Sequence, residues 1–89
     1  MHFLFISSVY QLLGWVGTFA YLLAYFLLSI NKINARQFIY QILNVVGATG
    51  LITNAIYNAD LPNVVVNLVW GIIALLALVV LFLKQRKQS

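Results

Sequence analysis

Three stretches of roughly twenty residues, about Val9–Ser29, Phe38–Tyr57 and Val64–Leu83, contain no Asp, Glu, Lys or Arg, and each is about long enough to cross a bilayer as a helix. Runs of this length and composition suit helices that cross roughly 30 Å of hydrocarbon. They predict an all-α membrane protein, a single domain over residues 1–89 made of a three-transmembrane-helix bundle. Composition agrees: 64% of the 89 residues are hydrophobic and 7% are charged, too little polar surface to cover a soluble core of this size.

The segments between the runs carry the polar signals. The first link, Ile30 to Gln37, holds Lys32 and Arg36; the second, Asn58 to Asn63, reads NADLPN; the chain ends in KQRKQS. Pro62 suits the first turn of a helix, and Asn or Asp suits a cap. With three spans, the first link and the C-terminal tail share one side. That side then holds Lys32, Arg36, Lys84, Arg86 and Lys87, all five basic residues of the chain. Lys and Arg favour the cytoplasmic side, so the N-terminus is expected outside and the C-terminus in the cytoplasm, as in a multi-pass protein of a bacterial inner membrane. The first run lacks a basic leader and a small-residue cleavage site and reads as a span. Residues 1–8 are left unassigned.

Several function classes are excluded by what is missing. The basic residues cluster at the ends of apolar runs and form no face for a phosphate backbone, so no nucleic-acid partner is expected. One His, one acid and no Cys supply too few ligands for a usual metal site. There is no phosphate loop, Cys/His pair or acid/base pair, so neither an enzyme nor a cofactor is expected. No carboxylate lies within a span, and proton-coupled carriers generally place one there. Asp60 falls in the second link, as a cap.

The candidate site comes from helical spacing. Small and polar residues gather on helix-facing stripes in membranes. The first helix carries Gly14, Gly17, Thr18, Tyr21 and Tyr25; the second carries Tyr40, Asn44, Gly47 and Asn54 near one stripe; the third carries Asn63, Asn67, Gly71 and Ala74, with Trp70 beside them. A carboxamide both donates and accepts, which matches neutral polar groups. Asn67, Asn44, Trp70, Asn54 and Tyr21 are therefore the candidate solute-binding residues. The same asparagines can instead bond across helices and hold the bundle together, and the glycines read as packing contacts. Trp15 reads as a packing or interface residue. Three helices do not easily enclose a solute path, whereas two parallel copies would, with the site on their two-fold axis. The expectation is a facilitator-type half-transporter for a small neutral solute, embedded in the lipid bilayer and acting as a homodimer.

Short motifs carry a resemblance. Asp60-Leu61-Pro62 followed by Asn67, the pair Gly14-Trp15, and Gly47 resemble features of the PQ-loop group, in particular the bacterial SemiSWEET half-transporters, over about Leu12 to Leu83. The resemblance implies a parallel dimer that moves a small sugar by alternating access, with Asn67 touching the solute. The Pro-Gln pair of that group would fall at Leu27-Leu28 here, and the second helix lacks the Trp of its sugar carriers. The strings GWVGTFAYLLAYFLLS and YQILNVVGA also resemble small, functionally unassigned bacterial membrane proteins.

Two other classes share the layout: a phage-holin-like pore former, and an accessory protein whose polar stripes contact a partner membrane protein. Against the pore former, the aligned Asn and Gly stripes and the aromatic-rich first helix favour the carrier. Because the chain has no cysteine, its orientation is directly testable. In whole cells, an impermeant maleimide is expected to label Asp60→Cys and to spare Lys32→Cys until the membrane is permeabilised.

Overall fold

The structure, a computed structural model, describes the backbone of residues 2–88 and the side chains of residues 5–87. It is all-helical over three elements: α1 (His2–Ser29), α2 (Phe38–Tyr57) and α3 (Leu61–Gln88). All three are long and apolar enough to cross a membrane. Nearly every large side chain on the outside is apolar, including Leu12, Phe19, Leu22, Val65, Ile73 and Leu76. Such a surface suits contact with lipid rather than water.

Two helices run past the expected spans, α1 back into a still largely apolar segment and α3 on into its polar tail. α1 starts at His2 rather than near Val9, and α3 runs from Leu61 to Gln88 rather than from Val64 to Leu83. A loss of apolar residues marks where hydrocarbon stops, not where hydrogen bonding stops. Lys, Arg and Gln are good helix formers, and Arg86 and Lys87 in the last turn of α3 complement the negative end of its dipole. The Arg86 guanidinium also lies 6.0 Å from the centre of the Phe82 ring, one turn back.

The two turns use side-chain and backbone caps in place of glycine. After α1, Lys32 N–H donates to the Leu27 carbonyl and Asn31 N–H to that of Leu28, with Asn31 left-handed at φ 62. After α2, Asp60 N–H donates to the Ala55 carbonyl and Ala59 N–H to that of Ile56, with Ala59 at φ 56. Both are Schellman closures. Asp60 then caps α3: its Oδ1 accepts from Asn63 N–H at 3.4 Å, while Pro62 occupies the first turn, where a missing N–H does no harm. In the first link, Asn34 Oδ1 accepts from Arg36 N–H and Gln37 Oε1 from Asn34 N–H.

α2 is the central helix, packed on α1 on one side and α3 on the other, and no Cα atoms of α1 and α3 come within 8 Å. The α1–α2 crossing is built on glycine. A Cβ at Gly17 would sit 2.7 Å from the Gly47 carbonyl oxygen and 3.0 Å from the Leu51 nitrogen, and one at Gly50 would strike the Leu13 carbonyl. The crossing is reciprocal. The Asn54 side chain covers Gly14, where a Cβ would lie 2.8 Å from Asn54 Cγ, and the Tyr21 ring covers Gly47. Each large residue lies four positions after the second glycine of its own helix. Asn54 Nδ2 donates to the Tyr10 carbonyl at 2.9 Å, and the Tyr10 and Tyr57 rings stack with centroids 4.4 Å apart. The α2–α3 contact is milder: a Cβ at Gly71 would lie 3.0 Å from that of Ala48.

Backbone cannot yield as a side-chain tip can. Gly50→Ala is therefore expected to lower unfolding stability by about 1–3 kcal/mol or more, as overpacking does. Gly71→Ala is expected to cost clearly less. Denaturant titration of both variants in one detergent checks the order.

Candidate functional site

The gap between α1 and α3 forms a cleft of about 280 Å³ beside α2. α1 contributes Tyr21, Ala24 and Tyr25; α2 contributes Tyr40 and Asn44; α3 contributes Val66, Asn67 and Trp70. Every one of these sets follows helical spacing, with Tyr21 and Tyr25, Tyr40 and Asn44, and Val66 and Trp70 each one turn apart. The Tyr21 ring rests on Gly47, close to the middle of α2, so the cleft reaches the centre of the bundle.

Asn44 and Asn67 are its buried polar groups, at 5% and 6% exposure. Each is oriented twice. Asn44 Nδ2 donates to the Tyr40 carbonyl at 2.8 Å, and its Oδ1 accepts from Trp70 Nε1 at 2.9 Å. Asn67 Nδ2 donates to the Asn63 carbonyl at 3.0 Å and to Asn63 Oδ1, and its own Oδ1 accepts from the Tyr21 hydroxyl at 2.9 Å. In both cases the amide N–H turns back on the preceding turn of its own helix, and the carbonyl points across the bundle. The Trp70–Asn44 bond ties α3 to α2. The Tyr21–Asn67 bond spans α1 and α3, which have no backbone contact.

Four of the five candidate residues, Asn67, Asn44, Trp70 and Tyr21, thus meet at one cleft. Asn54 does not. It lies on the face of α2 toward α1, bordering a separate hollow with Gln11, Gly14, Trp15, Thr18 and Leu51. Its amide fastens α2 to the Tyr10 carbonyl and accepts from Asn58 Nδ2 at 3.2 Å. Trp15 is 61% exposed and tilts against Phe19. Sequence reasoning passed over Tyr40 and Val66 as lining residues, and gave Tyr25 no place among the candidates. Their one-turn spacing from Asn44, Trp70 and Tyr21 was the available signal. Asn63 acts as the residue that aims Asn67.

A family model matches residues 10–86, from Tyr10 to Arg86. The chain belongs to that family. The family is uncharacterised, and nothing in the match links it to the PQ-loop group. No curated protein and no solved structure matches the chain significantly.

Hydrogen bonds between membrane helices are worth about 0.6 kcal/mol on average, so Tyr21→Phe is expected to destabilise by about that much. Asn44→Leu is expected to cost more, because it leaves the Trp70 N–H without its partner. Unfolding titrations of the two variants test the difference, and a Tyr21→Phe loss as large as that of Asn44→Leu would contradict it.

Proposed function

We propose that the chain is one half of a facilitator-type carrier for a small uncharged polar solute. In this reading it sits in the bacterial cytoplasmic membrane with its N-terminus outside and its C-terminus in the cytoplasm, and two parallel copies enclose the path. The observation that supports it best is the convergence of Asn44, Asn67, Trp70 and Tyr21, from three helices, on open space between two helices whose backbones stay apart. A purely structural clamp needs the bonds but not the gap. Among the described residues, no carboxylate, ammonium or guanidinium lines the cleft, which suits an uncharged solute and disfavours ion coupling through it. The open side of the cleft needs a second surface, and a two-fold related copy would set an identical cleft opposite. The placement of every Lys and Arg in the first link and the tail supports the orientation.

The test is uptake into liposomes that carry the purified protein, after a thermal-shift panel of neutral sugars, amino acids, nucleosides and vitamins has identified a stabilising solute. Asn67→Ala is expected to reduce uptake about tenfold, the effect of losing one buried hydrogen-bond partner. A protein that stays monomeric in mild detergent, or uptake indifferent to Asn67→Ala, would count against the reading.

One observation favours a second reading, an accessory protein without transport. Among the described residues, no buried side-chain nitrogen or oxygen lacks a hydrogen-bond partner, as a static clamp would require. Stoichiometric co-purification of a larger membrane protein, with no flux, would support it.

A further inference from the structure

The hydrogen-bonding capacity of the cleft floor is unevenly taken up. Both N–H bonds of the Asn67 amide are directed at Asn63, the Trp70 N–H is held by Asn44, and the Tyr21 hydroxyl is held by Asn67. What remains at the buried floor is one N–H of Asn44, whose amide spends the other on the Tyr40 carbonyl, and otherwise acceptor capacity. A carbonyl oxygen can accept two hydrogen bonds, and Asn44 Oδ1 and Asn67 Oδ1 each accept one within the chain. The walls are aromatic. Among the described residues, the ring pairs are Tyr10 with Tyr57 and Trp15 with Phe19, so the rings around the cleft do not stack on one another. One face of the Tyr21 ring is taken by Gly47; Tyr25, Tyr40 and Trp70 line the cleft, where a guest ring can meet them at the offset or edge-on distances that aromatic pairs prefer.

From this arrangement we infer that the cleft takes an uncharged aromatic molecule bearing an O–H or N–H donor, with its ring among the aromatic walls and its donor on Asn44 Oδ1 and Asn67 Oδ1. The inference takes its site from the carrier reading but does not depend on transport. A hexose, with a hydroxyl on nearly every carbon, would leave several of them unmatched against this mostly carbon lining, and unmatched buried hydroxyls are costly. A carboxylate would meet carbonyl oxygens at the floor and no cation in the lining. An ammonium would find no carboxylate there. Tyr25 and Tyr40 also place the cleft toward the helix ends joined by the link with Lys32 and Arg36, whose charge opposes a cation.

Trp15 and Trp70 are the two tryptophans of the chain. In Trp15→Phe protein, tryptophan fluorescence therefore reports on Trp70 alone. That variant, reconstituted in lipid vesicles, is titrated with p-cresol, with 4-methylanisole (the same ring with its hydroxyl capped by methyl), with benzoate, with benzylammonium and with glucose. The expected result is a saturable change with p-cresol, about tenfold weaker binding of the ether for the loss of its donor, and weaker binding still of the two ions and of glucose. Equal affinity for cresol and ether, tighter binding of glucose or either ion, or no saturable response to any probe would overturn the inference. Cresol binding that is abolished by Asn67→Leu, in protein that elutes as the parent does, would place the donor. Cresol binding without flux would leave the inference standing and remove the carrier reading, whereas flux of a solute with none of this donor selectivity would do the reverse.

Discussion

The approach of α1 to α2 at Gly17, Gly47 and Gly50 is the contact on which the rest of the arrangement depends. Water drives no association between apolar helices inside a bilayer, so packing and polar bonds must hold them. With no Cβ at these positions, the two backbones come close enough for a Gly17 Cβ to meet the Gly47 carbonyl at 2.7 Å. The same closeness gives the Tyr21 ring a flat seat on Gly47. Seated there, Tyr21 can send its hydroxyl past α2 to Asn67 on α3. The glycine crossing thus positions a polar bond between two helices whose backbones stay apart.

That separation is what makes a cleft. α3 packs on α2 through small residues, Gly71 against Ala48, but on a face of α2 turned away from α1. The polar atoms in the cleft are fixed by their own helices first: Asn44 and Asn67 each bond the carbonyl one turn back. Their remaining oxygens are then aimed by rings from other helices. Two amides in hydrocarbon would be expensive if unpaired. Paired in this way, both amides are satisfied and each side chain is held from two directions.

The asparagine spacing shows how far periodicity reaches. Asn44, Gly47 and Asn54 lie near one stripe of α2, but at 3.6 residues per turn Asn44 and Asn54 differ by about 80° around the axis. That angle is small on a helical wheel and large in a bundle where α1 occupies one side of α2 and α3 another. Asn54 consequently ties α2 to Tyr10 and Asn44 bonds Trp70. Tyr25 and Tyr40 stand outside the expected set for a related reason. An aromatic side chain in an apolar span looks the same whether it faces a neighbouring helix or a gap.

The sequence by itself determined that this chain forms three helices able to span a membrane, because continuous uncharged apolar runs of that length satisfy their own backbone as helices in hydrocarbon. It also located the turns, since Asn, Asp and Pro end and start helices by local geometry. The sequence held the residues of the cleft as well, but not their meeting. Whether Tyr21 reaches Asn67, and whether α1 touches α3, depends on which helix faces which, and at what distance. Those relations come from the side-by-side fit of distant glycines and rings, a property of packed surfaces that periodicity along one helix does not contain.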